Sequence, residues 1–202
     1  MCNLSNPSNP TLRAFEGFMD LVDLIEEKRF IGQEFLAWLW FKSEERGGSI
    51  ALPERGDILV VFEKHMLLEY GEGPESEKLI CRGLQTELRE ARAGLALGKK
   101  PEQARIKIGS DDYEFSITLN AATMEFRSVR LPKTAGAGDG DGDDPESFEG
   151  QVLERISLFE EGIELVNELF RLFINIRTSN GWSDELVKLR AWVHSGAELA
   201  GV

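Results

Sequence analysis

Between Phe35 and Phe41 the chain reads Phe-Leu-Ala-Trp-Leu-Trp-Phe, without one polar or charged side chain. On a helix of about 3.6 residues per turn these side chains point in every direction. Phe35, Leu36, Trp38, Leu39, Trp40 and Phe41 therefore cover more than one helical face, and the segment must be buried by its own fold or docked on a partner. It is far too short for a bilayer, which takes about 20 apolar residues to span. Nor does the start, Met1-Cys2-Asn3-Leu4-Ser5, carry a basic region followed by an apolar one. These features predict a soluble cytoplasmic chain with no membrane partner, in which residues 31–45 form a buried helix or one that presents Phe35, Trp38 and Trp40 at an interface.

Periodicity sets the rest of the order. Residues 1–10, rich in Asn, Ser and Pro, read as a flexible leader. Leu12, Phe15, Phe18, Met19, Val22 and Ile25 recur at three- and four-residue steps and mark an amphipathic helix ending near Arg29, with acidic residues on its other face. After Gly47-Gly48, residues 58–63, 65–70 and 78–82 predict short strands in an antiparallel meander. Leu84, Leu88, Ala91 and Leu95 share a helical face before a stop at Gly98, where Lys99 and Lys100 suit the negative end of the helix. A second set of strands is predicted over 104–108, 113–119 and 124–131 from their period-two alternation. The Gly, Ala and Asp tract 135–144 cannot bury enough surface to order itself and reads as an acidic linker. Asp144 as N-cap and Pro145 at the first helical position open a long helix to about Arg177. Ser183 is expected to cap a final helix carrying Leu186, Leu189, Trp192 and Val193. The fold class is thus α+β: antiparallel strands in two sets with an intervening helix, flanked by N-terminal helices and a long C-terminal helical segment. The organisation is a leader (1–10), an α+β core (11–134), the linker (135–144) and C-terminal helices packing on the core (145–202).

Motifs for catalysis or metal binding fail on spacing. Gly94 to Lys100 has one residue too few between its glycines for a phosphate loop, and no Ser or Thr follows the lysine. Asp139, Asp141 and Asp143 alternate like a calcium loop, yet Asp144 stands where the sharp turn needs Gly and Gly150 where a bidentate Glu is needed. His65 and His194 have no second metal-ligand residue at helical spacing, and Cys2 and Cys81 form neither a Cys-x-x-Cys pair nor an expected disulfide. Neighbouring carboxylates such as Glu26-Glu27 and Glu160-Glu161 read as solvated helix faces. The expectation is a protein that binds rather than catalyses, with no cofactor, metal or small-molecule substrate.

The net charge of −13 argues against a generally DNA-coating surface. Basic residues nevertheless concentrate in the middle of the chain, where Arg89, Arg92, Lys99, Lys100, Arg105, Lys107, Arg127 and Arg130 are the candidate DNA-binding residues. Arg105 and Lys107 share a strand face, and Arg89 and Arg92 are helical neighbours. Interleaved Glu87, Glu90, Glu102 and Glu114 allow the alternative of an ordinary salt-bridged surface.

Three strings resemble one family. They are Ile31-Gly32-Gln33-Glu34-Phe35-Leu36-Ala37-Trp38-Leu39-Trp40-Phe41-Lys42-Ser43-Glu44-Glu45, then Glu87-Leu88-Arg89-Glu90-Ala91-Arg92 with Gly98-Lys99-Lys100, then Phe126-Arg127-Ser128-Val129-Arg130-Leu131-Pro132-Lys133. With Gly142-Asp143-Asp144-Pro145 before the long helix, their order is similar to the C-terminal half of longer members of the recombination-associated RdgC family. The resemblance covers about residues 30–178. It implies a nucleoid-associated, ring-forming dimer that binds duplex DNA with little sequence preference and limits access of the RecA recombinase, without a cofactor. Family members carry a substantial N-terminal half before this region, so the resemblance implies a homo-oligomer or a separately encoded N-terminal partner. The alternative expectation is a protein-interaction or oligomerisation module without DNA binding.

Overall fold

The computed structural model describes residues 28–71, 76–82, 86–110, 113–133 and 145–200. The leader, the amphipathic pattern up to residue 27, the acidic tract 135–144 and the cap expected at Asp144 lie outside the described residues. Helix α1 (Lys28–Glu44) leads through a 3₁₀ turn (Glu45–Gly48) into strands β1 (Ser49–Leu52), β2 (Gly56–Tyr70) and β3 (Glu77–Arg82). Helix α2 (Thr86–Ala96) precedes β4 (Lys100–Gly109), β5 (Glu114–Asn120) and β6 (Phe126–Arg130), and the chain closes with α3 (Pro145–Arg177) and α4 (Trp182–Ala200).

All six strands join one antiparallel sheet in the order β1-β2-β4-β5-β6, with β3 also on β2. The α+β class follows, and the two sets of strands share a single sheet because the long β2 serves both. Its start pairs with β1, its end with β3, and its middle with β4. Residues 58–63 and 65–70, which read as separate strands, are therefore one strand. The break in their alternation is a bulge: between Phe62↔Ile106 and Met66↔Ala104, residues 63–65 stand opposite Arg105 alone. Strand β1 is an element that residue patterning did not predict, since four residues carry too little alternation to register.

α1 lies on the inner face of this sheet, and α3 and α4 cover the side of α1 that faces away from it. Phe35, Leu36, Trp38, Leu39 and Trp40 are at most 1% exposed. Phe35 meets Phe170 and Phe173 at ring distances of 5.2 and 5.6 Å, and Trp38 meets Phe173 at 5.5 Å. Trp40 stacks on Phe62 of β2 at 5.9 Å and meets Trp192 of α4 edge-on at 5.2 Å. Phe35, Trp38 and Trp40, the interface candidates, are thus core residues of the chain itself, because the aromatic rows of α3 and α4 supply the second cover they require.

The buried polar side chains of α1 have partners, as burial demands. Trp38 Nε1 donates to Glu185 Oε1 at 3.1 Å, and Gln33 Nε2 donates to Glu102 Oε2 at 3.0 Å. Lys42 sits 2.6 Å from both Glu185 and Glu45. Burial opposes the Lys42 charge, but its hydrogen bonds to these carboxylates outweigh that and raise its pKa. Helix α2 ends in a Schellman motif: Gly98 takes φ +90°, its N–H donates to Leu95 O and the Lys99 N–H donates to Gly94 O. α4 begins at Trp182, so Ser183 lies inside its first turn rather than capping it. The bend made by Thr178 to Gly181 starts this helix two residues early.

α1 approaches the sheet most closely at Gly32, where a Cβ would stand 1.9 Å from the carbonyl oxygen of Ala121. Backbone cannot yield as a side-chain tip can, so Gly32→Ala should destabilise the fold by about 1–3 kcal/mol, the usual cost of overpacking. The midpoint of urea unfolding measures it, and an unchanged midpoint would show that α1 does not sit against the β5–β6 turn.

Candidate nucleic-acid interface

Directly opposed residues of an antiparallel ladder share a face. Val60, Phe62, Ile106, Ile108, Phe115 and Ile117 point to the inner core, which leaves the alternate residues on an outer face. Lys107, Ser116 and Arg130 lie in one row across β4, β5 and β6, and Arg105, Thr118 and Ser128 lie in the next. Further along β2 the register adds Lys100 and Lys78 on either side of Glu69. Lys78, Lys100, Arg105, Lys107 and Arg130 share this face with Asp57, Glu63, Glu69 and Glu114. On a chain of net charge −13, the acidic excess thus lies elsewhere. A cleft of about 440 Å³ opens beside the first row, lined by Lys107, Tyr113, Ser116, Arg130 and Lys133 among others.

The strand register decides the electrostatics here. Continued past Phe62↔Ile106, it sets Glu63 opposite Arg105, whose Nε is 3.0 Å from Glu63 Oε2 and also donates to the Ser116 hydroxyl at 3.0 Å. Ser116 in turn donates to Glu63 at 2.7 Å. Lys107 lies 2.6 Å from Glu114 and 3.9 Å from Glu63, and its hydrogen bond to Glu114 raises its pKa. Arg130 is exposed and has no ion pair among the described residues. In these two rows Arg130 is open, whereas Arg105 and Lys107 are cations that a stronger anion must win from carboxylates.

The other candidates lie elsewhere. Arg92 joins α2 to α4: it pairs with Glu44 at 3.1 Å, donates to the Trp192 carbonyl and the Ser195 hydroxyl, and stands 4.7 Å over the Trp192 ring. Because 15% of that side chain is exposed, Arg92 is a structural clamp and not a phosphate contact. Arg89, three residues earlier, is exposed on α2. Lys99 pairs with Glu77 at 2.8 Å, and that hydrogen bond holds the Glu77 carboxyl below its ordinary pKa. Arg127 lies 4.0 Å from Glu125 at the β5–β6 bulge. The eight candidates therefore do not converge. Arg105, Lys107 and Arg130 form one row system, Lys100 extends that face, and the α2 residues belong to a helix packed against β3 and α4. Reasoning on residues missed Glu63 and Ser116, which hold Arg105, since only the pairing of β2 and β5 with β4 brings them there. Among the described residues no group of three or more His, Cys, Asp or Glu is placed to hold a metal ion, and no helix is long and apolar enough to cross a membrane.

The Arg92 arrangement predicts that Arg92→Met lowers stability by about 1–3 kcal/mol, the range for losing hydrogen bonds to a charged group, read from urea unfolding. A full-strength fold in that variant would refute the clamp.

Comparison of the chain with protein-family models, with curated proteins and with solved structures returns no match.

Proposed function

We propose that this chain is a non-catalytic, nucleoid-associated cytoplasmic protein of the RdgC kind, which binds duplex DNA without sequence preference and takes part in controlling recombination. The observation that carries the reading is the outer face of the sheet, where Arg105, Lys107 and Arg130 occupy neighbouring rows beside a polar cleft. Adjacent strands lie about 4.8 Å apart, so Lys107 and Arg130 can reach different phosphates of a duplex that carries one charge per about 1.7 Å of axis.

A second reading, a protein-interaction or oligomerisation module, is favoured by the carboxylates that already neutralise Arg105 and Lys107. Leu59, Val61 and Ile80 add apolar surface to the same face, at 48%, 42% and 54% exposure, and such patches suit a protein partner.

Anisotropy of a labelled duplex of arbitrary sequence separates the two. Three neutralised phosphates would weaken binding about 40-fold between roughly 50 and 200 mM salt. Lys107→Gln with Arg130→Gln should flatten that dependence, and Glu63→Gln should tighten binding by releasing Arg105. No binding at low salt would sink the DNA reading, and a mass that rises with protein concentration in sedimentation would then support the second.

A further inference from the structure

β6 ends the strand order, and no strand among the described residues pairs with its far edge. Alternate backbone N–H and C=O groups of an edge strand point away from its neighbour in the sheet. Those of β6 open into a cleft of about 750 Å³, with β6 and the residues after it as one wall and Arg155 and Phe159 of α3 as the other. An open strand edge beside a groove is the setting in which an extended peptide adds itself to a sheet, held by main-chain hydrogen bonds and selected through alternate side chains. Register tells which side chains an added strand would meet. Val129 stands opposite Ile117 and so points to the inner side, where it is only partly buried and where Phe159 lines the cleft at 42% exposure. Ser128 and Arg130 stand opposite Thr118 and Ser116 and point to the outer side.

Charge selects the occupant. Arg127, Arg130, Lys133 and Arg155 line the cleft, and no carboxylate does. Arg130, Lys133 and Arg155 are exposed and have no ion pair among the described residues. Arg127 lies 4.0 Å from Glu125 with both side chains more than half exposed, and such a surface pair yields readily to a competing carboxylate. We infer that the cleft takes an acidic segment of a partner protein, added to β6 as a further strand. Its apolar residues face Val129 and Phe159, and its alternate, acidic residues lie among the cations. Two other occupants fit less well. A second copy pairing through β6 would set Arg127 and Arg130 beside their own kind, the edge charge that opposes self-pairing. A nucleic acid suits the cations but offers no repeating N–H and C=O ladder to match the strand edge. The inference does not depend on the DNA reading, because of the cations in the two outer rows it uses Arg130 alone.

Hydrogen exchange of the full chain, with and without a peptide of about ten residues that alternates Val and Glu, tests the inference. Strand addition predicts amide exchange over residues 127–131 slowed about tenfold or more at saturating peptide, with residues 49–52 of β1 unchanged. Anisotropy of the same peptide, labelled, should show saturable binding that Lys133→Glu with Arg155→Glu, both at exposed positions, weakens about tenfold or more. A peptide with Pro in place of every Val keeps the charge but cannot pair as a strand, and should leave 127–131 unprotected. Unslowed exchange over 127–131, equal slowing by the Pro peptide, or unchanged affinity in the double variant would overturn the inference. So would protection of this edge by a DNA duplex and not by the Val-Glu peptide, because the cleft would then hold nucleic acid.

Discussion

Burial of α1 on both sides is the constraint on which the rest of the molecule depends. A helix carrying Phe35, Leu36, Trp38, Leu39 and Trp40 cannot rest on a sheet with its far side in water. Each large apolar side chain left exposed forfeits roughly 1.5–3 kcal/mol. The sheet covers one side through Phe62 and its neighbours, and α3 and α4 cover the other with Phe170, Phe173 and Trp192. The C-terminal helices thereby belong to the same core as the strands, although the acidic tract separates them in the sequence. The indole of Trp38 adds direction to this packing, since its single donor finds Glu185, which is also held by Lys42.

With the inner face committed to α1, no helix among the described residues lies on the outer face of the sheet, and the chemistry of that face is set by register. The regular pairing of β2 with β4 sets Glu63 beside Arg105 and Lys107, and an irregularity between Leu67 and Leu68 accompanies the inward turn of Glu102 to Gln33. An anion reaching this face has to compete with carboxylates already in place. That competition favours a polyvalent ligand over a single small anion, because each contact alone is worth little at a solvated surface.

Much of the element order was legible from periodicity. The helix 145–177, the stop at Gly98 and the alternating β5 depend on neighbours within one turn or one strand, and such local patterns survive any tertiary arrangement. Less was legible where distant segments decide. The aromatic run of α1 announced that it needed covering, but not whether a partner or α3 would do so, and the rings proved to be core. Arg92 resembled an exposed cation by sequence position and became a clamp only when α4 arrived beside α2.

Composition and spacing alone determined an α+β chain, acidic at both ends and basic in its middle, with helices and strands in a fixed order and no motif spaced for catalysis. Tertiary structure decided that the two sets of strands share one sheet, that α1 is its inner lining, and that Arg105, Lys107 and Arg130 are neighbours while Arg89 and Arg92 are not. The physical reason is range. Helical and strand periodicity are written in contacts within a few residues, whereas strand order, bulges and ion pairs such as Arg105 with Glu63 join positions far apart in the chain.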